Sequence, residues 1–309
     1  MPVLRFKSDG FFNESLNLKD DGSKMSDAPA SQSPGRVLVI EDEPSIRVLL
    51  NRVLSGAGFA VEEASDGLEG LERLSRHEFD IVLLDVWMPH MNGLDVLTEL
   101  HRRGSTQRVI LMTADHAPET LLHAVREQAS QYISKPFSSE ELLATVQKVL
   151  ACPVQPAIEV LSAKPDWVQL LIPCQREVVD RIQSFLMGLD SDLPHQVRES
   201  LGQAFHELLL NAIEWGGKFD PNVKVHVACL RTRRMILYRI ADPGAGFRFD
   251  SLKHAAVSNP EEDSIEHIKV REEKGMRPGG FGILMTRFLV DELLYNEKQN
   301  EVIFVKYLD

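Results

Sequence analysis

Two groups of residues in this 309-residue chain have the types and spacing needed to handle phosphate. The first is Glu41-Asp42, then Asp85, Thr113 and Lys135, each standing at or just past the end of a short apolar run. Three carboxylates brought together repel one another and raise each other's pKa values unless a hard divalent cation sits among them, and Mg2+ is the expected occupant. An aspartate held ionised by the metal can attack a phosphoryl donor while Mg2+ and Lys135 neutralise the phosphate oxygens. The Thr113 hydroxyl can bond the new phosphate, and the small Ala114 leaves it room.

The second group is Glu207-x-x-x-Asn211, then Asp242-x-Gly244-x-Gly246, then Gly280-x-Gly282. Glu207 and Asn211 lie one helical turn apart, off the apolar stripe of Val197, Leu201, Ala204, Phe205, Leu208 and Ala212. The Asn211 carbonyl oxygen suits Mg2+ on ATP phosphates, and Glu207 suits orienting or deprotonating an attacking hydroxyl. Asp242 ends an apolar strand, where its carboxylate can accept from an adenine amine, and Gly244 and Gly246 let the backbone approach a ligand closely. The turn through Gly280 and Gly282 opens a helix whose first amides favour phosphate oxygens.

The elements that must position the first group form a regular series. From Arg36 a short apolar run and a helical stretch alternate five times, the runs being Val37 to Ile40, Phe59 to Glu63, Ile81 to Leu84, Val109 to Met112 and Tyr132 to Ile133. Alternation with nearly continuous apolar strands predicts an α/β, doubly wound, five-stranded parallel domain over 36–150. In such a sheet ligands bind beyond the carboxyl ends of the strands, so the residues ending four of these runs meet at one edge. Scattered surface acids would not converge in this way.

Residues 151–165 carry Pro153, Pro156 and Pro165 and read as a short, stiff linker. Beyond it, over 166–309, the order changes to a strand at Trp167 to Ile172, helices at Glu177 to Leu189 and Val197 to Ile213, strands at Val223 to Leu230 and Met235 to Ala241, a helix after Gly282, and a last strand at Val302 to Tyr307. This predicts an α+β two-layer sandwich with helices on one face. Residues 1–35 are polar and aperiodic, which predicts disorder, and Met25 offers a second plausible start.

Composition narrows the possibilities. A formal charge of −12, from 34 basic against 46 acidic residues and without a basic stripe, argues against nucleic-acid binding. No apolar run approaches the ~18 to 20 residues of a membrane span, and the three cysteines, Cys152, Cys174 and Cys229, show no metal-ligand spacing. A soluble protein of the reducing cytoplasm is expected.

The segment from Leu84 to Gly93, reading Leu-Asp-Val-Trp-Met-Pro-His-Met-Asn-Gly, and Ile133-Ser134-Lys135-Pro136-Phe137 resemble the receiver domain of two-component response regulators, over Arg36 to Leu150. The resemblance implies that Asp85 is the phosphoacceptor, that Glu41, Asp42 and the Trp87 carbonyl hold the metal, and that Tyr132 is the switch aromatic. Trp87 is bulkier than many receivers carry at that position and is expected to shield the acyl phosphate from water. From Asp166 to Asp309 the glycine motifs, in their order, resemble the Bergerat-fold (GHKL) ATPases and, within them, the anti-sigma-factor serine kinases. Ile172-Pro173, the paired helices before Asn211 and Asp291-Glu292-Leu293 fit that branch, and the charged stretch from Phe247 to Met276 stands where its ATP lid would be. Trp215, after Glu214, stands where many members have a His, a departure that bears on phosphotransfer and not on nucleotide binding.

Three functions follow from these resemblances. The first is a response regulator whose output is a serine/threonine protein kinase acting on an anti-sigma antagonist. The second is an ATP-dependent switch that sequesters a sigma-factor-like partner without turnover. The third is a hybrid histidine kinase using His206-Glu207-Leu208, which is disfavoured because no dimerising helical hairpin separates the two domains and Glu207 would be lost to the nucleotide site. A sensor histidine kinase or phosphotransfer protein is the expected donor, and a homodimer the expected assembly.

Overall fold

The apolar runs become strands because both faces of the first sheet are covered. In the computed structural model, which describes residues 35–114, 117–152, 156–248, 266–273 and 280–308, β1 (Arg36–Ile40) has Val37, Leu38, Val39 and Ile40 all fully buried. β2 (Ala60–Ala64), β3 (Ile81–Asp85), β4 (Val109–Thr113) and β5 (Gln131–Ser134) complete a parallel sheet in the order β2-β1-β3-β4-β5. The switch point falls between β1 and β3, whose ends carry Glu41 and Asp85.

The helices between the strands are α1 (Pro44–Gly56), α2 (Gly67–Arg76), α3 (Gly93–Arg102), α4 (Pro118–Arg126) and α5 (Ser139–Ala151). Local chemistry starts each of them. Pro44 and Pro118 stand in the first turns of α1 and α4, where the missing N–H costs nothing. Asp66, Asn92 and Ser138 cap α2, α3 and α5, accepting from the backbone N–H groups of Glu69, Asp95 and Glu141 at 2.9, 2.9 and 3.1 Å.

The second sheet is antiparallel. β6 (Glu159–Lys164), β7 (Trp167–Pro173), β8 (Lys224–Arg231), β9 (Met235–Ala241), β10 (Glu292–Tyr295) and β11 (Glu301–Tyr307) lie in the order β10-β11-β9-β8-β7-β6. Alternate residues such as Val168, Leu170 and Ile172, or Ile236, Tyr238 and Ile240, are buried. Against them pack α6 (Glu177–Leu189), α7 (His195–Asn211) and α9 (Gly282–Leu289), while α8 (Glu266–Glu273) lies between β9 and α9 in the chain. Tyr238 stacks on Phe304 with ring centroids 5.1 Å apart, and its hydroxyl donates to buried Asp190 at 3.1 Å.

Four expectations change. Residues 159–164, assigned to the linker by the prolines that flank them, form β6, which pairs with β7; a register shift between Val160 and Ser162 lets both Val160 and Ala163 pack on the core. The helix expected to run to Ile213 ends at Asn211 and continues as a π-helical turn, Ala212–Gly216, closed by Gly217 N–H donating to the Ala212 carbonyl at 2.9 Å. The stretch from Phe247 to Met276, read as aperiodic, contains α8, while its remainder beyond Arg248 lies largely outside the described residues. A strand not anticipated, β10, pairs with β11. The predicted disorder of 1–35 falls almost wholly outside the described residues.

The core on one face of the receiver sheet, under α1 and α5, is separate. On the other face it continues through α4 into the core of the second sheet, and residues 34–309 form one compact unit.

Candidate functional site

The acidic group assembles as its spacing requires. Oxygen atoms of Glu41, Asp42 and Asp85 all lie within 4.8 Å of one another. Lys135 donates to Asp85 Oδ1 at 2.6 Å and to Glu41 Oε2 at 2.8 Å. Burial pushes the Asp85 carboxyl above the ordinary aspartate range, with Lys135 opposing it. Glu41 is raised for the same leading reason, with Asp85 adding to it. Burial alone would lower Lys135, but hydrogen bonds to the two carboxylates outweigh it and hold the ammonium above its ordinary value. An all-oxygen, half-buried acidic set of this kind fits a hard divalent cation.

Its supports come from several elements. Arg47 of α1 donates to the backbone carbonyls of Glu41 and Asp42, the latter at 3.1 Å, and so fixes the acidic turn. The Trp87 backbone N–H bonds Asp85, while the Trp87 side chain is 60% exposed beside it. Thr113 is buried at the end of β4, and its carbonyl accepts from the Lys135 N–H at 2.7 Å. Gly93 is obligatory, because a Cβ there would stand 2.1 Å from the Asp85 carbonyl oxygen. Tyr132 of β5 faces away from the acids and stacks on Phe185 of α6, ring centroids 5.8 Å apart.

The second group converges on the amino end of α9 and the carboxyl end of β9. Gly282, the first residue of α9, lies so close to Glu207 that a Cβ would stand 2.4 Å from Glu207 Oε2. Asn211 ends α7 one turn on, and the π-helical turn then carries the chain to Gly216, where a Cβ would lie 2.2 Å from Asp242 Cγ. Such turns often mark functional positions. Gly244 N–H donates to Asp242 Oδ1 at 2.8 Å, and burial raises the Asp242 carboxyl against that bond. Gly246, at φ +78°, passes so close to Lys298 that a Cβ would overlap its carbonyl oxygen. Gly280 also has positive φ, +97°.

Sequence reasoning missed Gly216 and Gly217, although the Gly-Gly pair just after Asn211 was a legible signal. Gly217 packs on the Cys174 thiol, which burial pushes up to about 11, followed by the Asp242 charge, so this thiol is unreactive at neutral pH. His206 packs against α6, its Nδ1 2.9 Å from Gln183 Oε1 and 3.5 Å from an Asp180 oxygen.

Residues 37–147 match the response regulator receiver domain, and residues 173–306 match the histidine kinase-like ATPase domain. The DNA-binding response regulator MtrA of Mycolicibacterium smegmatis is 31% identical over 201 residues, which is 64% of this chain and 87% of that protein. This chain belongs to the response regulators. The response regulator MprA of Mycobacterium leprae is 36% identical over 115 residues, 37% of this chain and 50% of that protein, and the chain spans about half the length of the MprA relatives it matches. Among solved structures, the chemotaxis protein CheY4 of Vibrio cholerae is 31% identical with a TM-score of 0.36, over 38% of this chain and 98% of that one. In this response regulator the receiver is thus followed by a histidine kinase-like ATPase domain, and no helix among the described residues is long and apolar enough to cross a membrane.

Proposed function

We propose that this response regulator is phosphorylated on Asp85 and controls a serine/threonine protein kinase of the anti-sigma-factor type in its second domain. The observation that carries the kinase reading is the Glu207 carboxylate lying against Gly282 at the start of α9, one turn from Asn211. An acid there stands beside the helix terminus that favours the transferred phosphate, in position to take the proton of an attacking hydroxyl.

In the receiver, Glu41, Asp42, Asp85 and the Trp87 carbonyl would hold Mg2+, which supplies positive charge to the phosphate oxygens. An Asp85 oxygen attacks the phosphorus of a phosphohistidine on a sensor kinase or phosphotransfer protein. The P–N bond breaks as the P–O bond forms, and Lys135 and Thr113 bond the phosphoryl oxygens. In the second domain Asn211 would hold the Mg2+ of MgATP, which draws negative charge from the phosphates. Asp242 would accept from the adenine amine, Gly244 and Gly246 would let the backbone approach the nucleotide closely, and Gly280 and Gly282 would admit the phosphates. A partner serine or threonine oxygen attacks the γ-phosphorus, Glu207 takes its proton, and ADP leaves.

The working domains are taken as a receiver over 36–150 and an ATPase domain over 166–309, with 151–158 leading into β6 between them, in a cytoplasmic homodimer that acts on an anti-sigma antagonist or sigma-factor-like protein. A net charge of −12 supports partners other than nucleic acid. A second reading, sequestration of the partner without turnover, is favoured by Trp215, which is 49% exposed just beyond Asn211. The packing of His206 on α6 favours neither of these, but it weighs against a histidine-kinase reaction at that residue. The test mixes the full chain with γ-labelled ATP and candidate antagonist proteins, with Glu207→Ala as control. Label on a partner hydroxyl residue that disappears with Glu207→Ala supports the kinase; tight ATP-dependent binding without label replaces it with the switch.

A further inference from the structure

One helix touches the supports of both sites. On the receiver side, Phe185 of α6 stacks on Tyr132 of β5, and Gly188 leaves so little room that a Cβ would lie 2.5 Å from the Tyr132 hydroxyl oxygen. Gln131 Nε2 donates to the Ser184 hydroxyl at 3.2 Å. Leu121, Leu122 and Val125 of α4 meet Ile182, Phe185 and Leu186 of α6 across an entirely apolar seam. Beside that seam Arg181, 4% exposed, ties α6 to the receiver, its Nε donating to the Ala129 carbonyl at 2.9 Å and its Nη1 to the Pro156 carbonyl at 2.8 Å.

The opposite side of α6 holds α7. Gln183 Nε2 donates to the Gly202 carbonyl at 3.0 Å, and Gln183 Oε1 meets His206, the neighbour of Glu207. Asp180 is shared between the two domains: one oxygen pairs with Lys148 of the receiver helix α5 at 2.7 Å and the other lies 3.5 Å from His206. Close-packed interiors transmit displacement rather than absorb it. A shift of Tyr132 or α4 therefore moves α6 against α7 or opens the seam.

We propose that α6 is the link through which the state of Asp85 sets the geometry of Glu207 and Asn211, with the Tyr132–Arg181 seam as its grip on the receiver. The link rests on the reading that the second domain binds nucleotide. Because α6 fills the α4–β5 face of its own receiver, the signal passes within one chain, and that face is closed to a second copy while the domains are docked.

The experiment measures MgADP affinity of the full chain by calorimetry, with and without magnesium beryllofluoride as the acyl-phosphate mimic. A change of ~5-fold or more is expected, matched by an equal change in beryllofluoride affinity when MgADP is bound, since coupling between two ligands is reciprocal. Arg181→Met and Tyr132→Ala should each retain binding of either ligand alone while reducing the coupling to less than about twofold. Tyr132→Ala removes no buried charge and no residue of the second domain, and carries the test if Arg181→Met fails to fold. Equal MgADP affinity with and without beryllofluoride, in a chain that binds both, overturns the link and leaves the nucleotide reading standing. Full coupling retained in Tyr132→Ala also overturns it. Absence of any MgADP binding, with beryllofluoride still bound, instead removes the nucleotide reading and the link with it.

Discussion

Replacing Gly216 by alanine tests the assignment of Asp242 as the adenine anchor without touching the anchor itself. The added methyl would sit 2.2 Å from Asp242 Cγ, about 1.2 Å inside the 3.4 Å at which ordinary contact begins. The three nearest atoms all belong to Asp242, so its carboxylate must swing away and, because the Asp242 Cβ would also be only 2.5 Å distant, the backbone that carries it must give as well. Losing one hydrogen bond to an ionised group costs about 1.5–3 kcal/mol, which predicts a roughly 10- to 150-fold weaker MgADP affinity. Calorimetric titration of the full chain reads this directly, and thermal melting shows whether the fold survives. In an Asp242→Asn background the anchor is already weakened, so adding Gly216→Ala should cost much less than it does alone. Wild-type affinity in a Gly216→Ala chain that melts normally would refute the reasoning, because a displaced Asp242 would then not matter to the nucleotide.

Four further outcomes follow from the geometry. Gly93→Ala places a methyl 2.1 Å from the Asp85 carbonyl oxygen, where backbone must yield; a loss of about 1–3 kcal/mol in urea denaturation and of phosphorylation by a small acyl-phosphate donor is expected. Asp190 is held up to about 6 by burial, from an unfolded value of 3.8, so the folded chain binds that proton more tightly. Stability should therefore fall by about 3 kcal/mol as pH rises from about 4 to about 6 and then level off, and Asp190→Asn should remove that component from a urea series at these pH values. Mg2+ should raise the melting temperature by relieving the repulsion among Glu41, Asp42 and Asp85, and Glu41→Ala should reduce that rise. Trp87→Asn should shorten the lifetime of the phosphorylated chain in a radiolabel chase, and an unchanged lifetime would remove the shielding role of the indole.

Much of the first site was legible because a parallel sheet converts sequence position into spatial position: a residue that ends a buried strand must arrive at one edge, whichever helices intervene. Glu41, Asp85, Thr113 and Lys135 could be placed together on that ground, whereas the cap at Asn92 and the close approach of Gly93 emerged only in the structure. The glycine motifs of the second site were visible for a similar reason, since glycine in such numbers between strands signals backbone crowding. Gly216 and Gly217 escaped because their partners, Asp242 and Cys174, are tens of residues away, and nothing local shows which side chain a missing Cβ makes room for.

By itself the sequence determined the two fold classes, the acidic cluster and the order of the nucleotide motifs, because periodicity, strand ends and turn residues act over a few residues. Only the tertiary structure decided that residues 159–164 are a strand rather than linker, that α7 gives way to a π-helical turn at Ala212, and that Arg181, Phe185 and Gly188 face the receiver. The last two outcomes depend on shape matching between segments far apart in the chain, whereas β6 depends on pairing with its neighbour β7 and on a core to cover its inner face. An apolar stripe on α6 specifies that something must cover it, but only packing selects α4 and Tyr132 as the cover.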